Sequence, residues 1–435
     1  MPSPADGQRP AAESGAGAPA RLARAWWRGL LDDVRHWAKA SRLGRDFWVF
    51  VLASCVSSFG IVIFLLLYSL YLLDLGFDDK FLGLMTTATT LGSIAGTLPA
   101  GLLIARLGPK TTVLGCVAGT AVVYAVQAVV VGQAALLAFA FLSGAIGAVW
   151  AVSIAVVVSH LTTVETRAHG FSLFFAASIG TGVLADAIGG ELPGWLTPLA
   201  SPTDPTHGKQ AALLLAAALA ALAIWPAARL GISGDASAER TSYPRGPFVV
   251  RFLIPLVVWN LAIGTINPFT GAYLAQYLKM SVRHIGVDLA GSELAQAVGL
   301  LLVPVMLRRL GPVPSIVRMQ LLAGLALGTL AIWPSVLAAG LSLAGYMAFQ
   351  SMTGPGLNTI LMNRVTAAER SGAAALLSLA TFSAQAGASA VAGDALKRFG
   401  YPLVLTVAAV IAAGAALLSK VVLQRVVRPL DVPPA

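Results

Sequence analysis

Few side chains in this sequence can do chemistry, and the most telling is a carboxyl inside an apolar run. Glu293 stands nine residues past His284, with Asp288 between them and Gln296 one helical turn beyond. At about 1.5 Å per residue, a helix starting at His284 carries Glu293 ~13 Å deep, near the middle of a hydrocarbon layer about 30 Å thick. There a carboxyl holds a proton while its surroundings are dry and releases it when water enters, so it can act as a proton carrier, with Asp288 as runner-up. Gln296 is placed to orient it by hydrogen bonding. A second polar concentration is WNLAIGTINPFTGAYLAQYL, where Trp259, Asn260, Asn267, Tyr273 and Gln276 accompany Pro268, which kinks a helix and frees a carbonyl. No lysine or arginine lies deep in an apolar run, which disfavours a multiply charged anion as ligand.

Other chemistries lack their residues. Walker A, H-E-x-x-H and G-x-S-x-G patterns are missing, and the five histidines fall in tails, loops or at the ends of apolar runs. Gly180-Thr-Gly182-Val-Leu-Ala185 imitates a dinucleotide fingerprint, but an apolar helix with no preceding strand explains it as helix packing. Cys55 and Cys116 lie in apolar segments as small buried hydrophobes, with neither a disulfide framework nor a metal site expected. The expectation is a non-enzyme without cofactor or metal.

The elements that must position these residues follow from composition. The chain is 57% hydrophobic and 11% charged, against about 25% charged in ordinary soluble domains. Apolar runs of spanning length recur throughout, so the fold class is an all-α polytopic membrane protein. The net charge of +10 has no soluble basic face to sit on, and nucleic acid is excluded as a partner. Twelve spans are expected, six in residues 46–230 and six in 252–424, with a tail at 1–45, a polar linker at 231–251 and a second tail at 425–435. Within the first tail, RLARAWWRGLLDDVRHWAKASRLGR puts apolar and basic residues on different helical faces, as a segment lying on an anionic membrane would.

The two sixes repeat each other. Arg106-Leu107-Gly108-Pro109 recurs as Arg309-Leu310-Gly311-Pro312, 203 residues later, and Arg167 and Arg370 keep the same offset. Glu165 accompanies the first of these arginines and Glu369 the second. Of the 29 basic residues, only Lys80, Lys209, Lys279, Arg283, Lys397 and Arg398 fall in loops on the face opposite the termini. The positive-inside rule then puts both termini and the linker in the cytoplasm, in a plasma (inner) membrane.

Gly101 to Lys110 resembles the loop motif of the major facilitator superfamily, G-x-x-x-D-x-x-G-x-[RK], with Gly101, Gly108 and Lys110 matching and Ala105 in the acidic position. The loops with Glu165 and Arg167 and with Glu369 and Arg370, and the run GDALKRFGYPLVL, are also similar to that family. The resemblance covers about Phe47 to Leu423. It implies two pseudo-symmetric six-helix halves rocking about a central site lined by helices one, four, seven and ten, which adds Ser57, Ser58, Trp150 and Gln350 to the candidates. It also implies a cytoplasmic gate drawn from Gly101, Arg106, Gly108, Lys110, Glu165, Arg167, Arg309, Gly311, Glu369 and Arg370. With no ATP-binding motif, a gradient must drive such a transporter. The expected activity is proton-coupled movement of a small neutral or cationic organic molecule by a monomer in the lipid bilayer. An uncoupled facilitator, a lipid translocator and a non-transporting receptor are the alternatives.

Overall fold

The computed structural model describes residues 43–77, 79–200, 205–232, 243–244, 246–280, 282–333 and 335–426. The amphipathic reading of the first tail, most of the linker and the end of the second tail lie outside the described residues. The first half forms α1 (Arg45–Asp74), α2 (Asp79–Leu107), α3 (Pro109–Gln127), α4 (Gln133–Leu161), α5 (Arg167–Ala200) and α6 (Pro205–Leu222), the last extended by a short turn at Ile224–Ala228. The second forms α7 (Pro247–Ile266), α8 (Val282–Leu310), α9 (Pro312–Ile332) and α10 (Val336–Arg364). Last comes a helical stretch, Arg370–Val426, which Gly400 at φ 75° divides into α11 (370–399) and α12 (401–426).

Among the described residues nine helical stretches are long and apolar enough to cross a bilayer, the undivided final stretch counting as one, and the bent α2 makes a tenth. The chain is an all-helical membrane protein. α10 falls outside that set because its length is interrupted by Gln350, Ser351, Thr353, Asn358 and Thr359. A helix that polar must turn these groups toward protein or a cavity.

The repeated tetrapeptide is a helix corner. Gly108 and Gly311 have φ of 80° and 83°, a region in which a Cβ is strained, and the following prolines open α3 and α9. Thr112 Oγ1 then donates to the Gly108 carbonyl at 2.8 Å, and Ser315 Oγ to the Gly311 carbonyl at 2.7 Å. The same duplication reaches the other end of the bundle: Tyr71 Oη donates to the Ala128 carbonyl at 3.1 Å, and Tyr273 Oη to the Leu330 carbonyl at 3.1 Å.

Small residues set the helix spacing. A Cβ added at Gly92 of α2 would stand 1.9 Å from the Phe141 carbonyl oxygen of α4, and one at Gly264 of α7 2.5 Å from the Gln385 Cα of α11. In lipid, apolar burial gives little drive for helix association, and backbone approach at such glycines supplies the packing instead.

α7 does not continue regularly. Past Ile266 it passes into a 3₁₀ turn at Asn267–Phe269, a short α turn at Thr270–Ala272 and a π turn at Tyr273–Tyr277. Pro268 lacks the amide proton that a regular helix needs there, as its sequence predicts.

The cores distinguish the two ends. At the end carrying the RLGP corners one apolar core joins both halves, with Phe47, Phe50, Val156 and Phe171 beside Phe252, Ile316, Leu361 and Ala374. At the opposite end each half keeps its own core, around Phe64, Tyr124 and Leu213 in the first and Leu274, Leu327 and Leu405 in the second. The bundle is sealed at the RLGP end.

Candidate functional site

Beside the shared core lies a cavity of about 360 Å³, at the small end of the range for ligand pockets. α7 contributes Trp259, Asn260 and Asn267; α10 contributes Gln350, Ser351 and Asn358; α11 contributes Thr381 and Gln385. Leu300 of α8 and Phe175 and Ile179 of α5 complete its apolar walls. Its lining is therefore five carboxamides among hydroxyl, aliphatic and aromatic groups, with no ionisable side chain.

The amides are held by one another. Gln385 Nε2 donates to Asn260 Oδ1 at 2.8 Å, while Asn260 Nδ2 donates to the Leu256 carbonyl at 2.9 Å. The close α7–α11 crossing at Gly264 makes this pair meet, and Ser389 Oγ pins it by donating to the Gly264 carbonyl at 2.8 Å. Tyr346 Oη donates to Asn267 Oδ1 at 2.8 Å, and Asn267 Nδ2 reaches Gln350 Oε1 at 3.4 Å. Asn358 Nδ2 donates to the Gly354 carbonyl at 3.0 Å.

The structure thus brings together Trp259, Asn260, Asn267 and Gln350 of the residues expected from sequence. Ser57 is buried in α1, Ser58 is half-buried, and Trp150 packs on Phe50 with ring centroids 6.0 Å apart; none of the three lines the cavity. Tyr273 is bonded in its half's own core at the end opposite the RLGP corners, duplicating Tyr71, and Gln276 lies in the π turn. Sequence reasoning missed Ser351, Asn358, Thr381, Gln385 and Phe175. The seven-residue spacing of Asn260 and Asn267, and of Ser351 and Asn358, puts each pair on one helical face and was a usable signal.

The acids stand beside the cavity. Ser351 Oγ, in the lining, donates to Gln296 Oε1 at 2.7 Å, and Glu293 is one turn from Gln296 on α8. Glu293 is half-buried and close enough to Asp186 of α5 for their charges to interact across the halves. Asp288 is turned to α10, its carboxylate oxygens 3.2 Å from where a Gly340 Cβ would be.

At the RLGP end one expected gate residue bridges the halves. Arg167 is buried, 3% exposed, and donates to the Ser159 carbonyl of α4 at 3.2 Å, to the Met362 carbonyl of α10 at 3.3 Å and to Asn363 Oδ1. Gly101 marks a close approach of α2 to α11, 3.1 Å from the Ser371 carbonyl oxygen to an added Cβ. The expected acids serve their own turns. Glu369 accepts from the Thr366 amide at 3.1 Å and hydroxyl at 2.9 Å in a capping box. A hydrogen bond from Thr163 holds the exposed Glu165 carboxyl below the usual carboxylate range. Arg370 faces Arg167 and His160 electrostatically, while Arg106 and Arg309 are exposed and Lys110 half-exposed. The bonds seen across this crossing are thus those of the Arg167 guanidinium to helix-end carbonyls and to Asn363.

The family model of the Major Facilitator Superfamily matches residues 50–262. No curated protein matches the sequence. Among solved structures the chain is similar to the human organic anion transporter MFSD10 (TETRAN), at 18% identity and a TM-score of 0.69, over 86% of this chain and 99% of that one. It is similar to the E. coli fucose:proton symporter FucP at 15% identity and a TM-score of 0.70, over 87% and 99%. It also resembles a bacterial homologue of the iron transporter ferroportin in an outward-facing state, at 14% identity and a TM-score of 0.61, over 88% and 99%. At these identities the likeness is one of fold. Residues 50–262, the first half with its linker and most of α7, thus match the Major Facilitator Superfamily model, and the bundle as a whole shares the fold of these solved transporters.

Proposed function

We propose that the protein is a secondary transporter that moves a small neutral or cationic organic molecule by alternating access, coupled to protons. The observation that carries this reading is the cavity itself, walled by helices of both halves and closed on one side by their shared core. Rocking the halves breaks that seal and exposes the same cavity to the other side. The distribution of basic residues makes the sealed end cytoplasmic, so this state faces outward. Glu293 is the proposed proton carrier: Gln296 and Ser351 connect it to the cavity, and Asp186 faces it from the other half. The likeness to a fucose:proton symporter supports coupling.

One observation favours a second reading, an uncoupled facilitator: no ionisable group lines the cavity. Flux into proteoliposomes with and without an imposed pH gradient separates the two. Accumulation that needs the gradient and is lost in Glu293→Gln, with counterflow exchange kept, supports coupling. Gradient-independent equilibration in the unaltered protein leaves the facilitator.

A further inference from the structure

The cavity's polar groups all come from the second half, and all are neutral. Five carboxamides, the Ser351, Thr353 and Thr381 hydroxyls and the Trp259 indole N–H supply them from α7, α10 and α11, while the first half contributes the Phe175 and Ile179 side chains. An organic anion would need a compensating cation at the wall, and an organic cation a carboxylate or a cage of aromatic faces, because a charge leaving water without one costs several kcal/mol; the wall has no charged group and only the Trp259 and Phe175 rings, on opposite halves. Neither Glu293 nor Asp288 is in the lining: Glu293 interacts with Asp186, and Asp288 lies beside Gly340.

Internal bonds leave a definite set of groups over. In the Asn260–Gln385 pair, Gln385 Nε2 and Asn260 Nδ2 each spend one proton and keep one, and Gln385 Oε1 keeps its acceptor capacity. Asn358 has one proton committed to the Gly354 carbonyl, leaving the other and its Oδ1. Thr381 stands one turn before Gln385 on the same face of α11. The remaining wall is a mixture of donors and acceptors at neighbouring positions, with the Trp259 indole and the Phe175 ring as apolar surfaces. Hydroxyl groups, each both donor and acceptor, satisfy such a mixture in either sense, and a compact carbon frame covers the rings.

We infer that the cavity takes a small uncharged molecule bearing several hydroxyl groups, read by the Asn260–Gln385 pair and Asn358 of the second half, while the first half supplies an apolar lid. This rests on the transporter reading above and narrows it by excluding the cationic branch. Because α7, α10 and α11 belong to one half, the polar contacts persist while the halves rock, and the molecule stays with the second half.

The test is thermal stabilisation of the purified full-length protein in detergent by hexoses, pentoses and hexitols, against tetraethylammonium, choline, benzoate and gluconate, the last having the hydroxyls plus a charge. At least one neutral polyol should raise the melting temperature, with gluconate and the organic cations inert. Asn358→Ala and Gln385→Ala should weaken that polyol by about tenfold or more, equivalent to roughly 1.4 kcal/mol, and Gln385→Glu, which keeps the shape, should weaken it likewise. Stabilisation by the cations or by gluconate alone, or by no polyol in the panel, overturns the inference. The transport reading fails separately: a polyol that binds but never crosses proteoliposomes overturns transport and keeps the class, and a cation that crosses does the reverse.

Discussion

Ser159 and Met362 stand 203 positions apart, at equivalent ends of α4 and α10, and their backbone carbonyls share one donor, the Arg167 guanidinium, at 3.2 and 3.3 Å. The crossing of the two halves is thus stitched at the point the duplication makes equivalent. The equivalent arginine, Arg370, faces Arg167 and His160.

Arg167→Ala removes these bonds. Hydrogen bonds from a charged donor are worth about 1.5–3 kcal/mol each, so the population sealed at this end should fall by roughly tenfold or more. A Thr381→Cys reporter in a Cys55→Ser, Cys116→Ser background should then label faster from the RLGP side in oriented vesicles. An unchanged labelling rate would show that the apolar core alone holds the seal.

Ser351→Ala cuts the connection from the cavity to Gln296. If Glu293 responds to occupancy through it, pH-driven accumulation should fall by about fivefold, the worth of one neutral hydrogen bond near 1 kcal/mol, while counterflow exchange is kept. Equal losses in both assays would mean that Ser351 serves binding alone.

Gly92→Val should be among the most damaging single changes, since its first added carbon would already stand 1.9 Å from the Phe141 carbonyl oxygen. A loss of roughly 3 kcal/mol or outright misfolding follows from such overpacking. Gly147→Ala on α4, with nothing within 4 Å of the added carbon, should melt like the unaltered protein. Detergent melting curves for the two variants make the comparison.

Gly108→Ala and Gly311→Ala should each lower stability by about 1 kcal/mol or more, from the positive φ that both corners require. Their effects should be similar, because the corners are copies. A shift confined to one would mean the repeated geometry is not under equal strain.

Much of the frame was legible because membrane spans and turns are written locally. The RLGP corner needs only a glycine that tolerates positive φ and a proline to open the next helix, and the duplication shows at a fixed offset. The cavity's residues were legible where polar groups crowd one helix, as Asn260 and Asn267 did, and Gln350 followed from the family resemblance alone. Gln385 was not: its partner Asn260 is 125 residues away, and only the close approach at Gly264 brings them together. Tyr273 looked like a ligand contact because its hydroxyl stands out in an apolar run. Its partner is the Leu330 carbonyl, and a backbone acceptor leaves no mark in sequence. Nor could sequence show that the Glu165 and Glu369 carboxyls bond locally, at Thr163 and Thr366.

The division of the apolar cores also orders the making of the protein. The first half's own core, at the end opposite the RLGP corners, draws on nothing beyond α6, so it can close while later helices are still on the ribosome, as units near the N-terminus generally do. The core at the RLGP end needs Leu361, Ala373 and Leu423, and it is completed only when the last helix arrives. The joint that would open and close in each transport cycle is also the last to be assembled during synthesis.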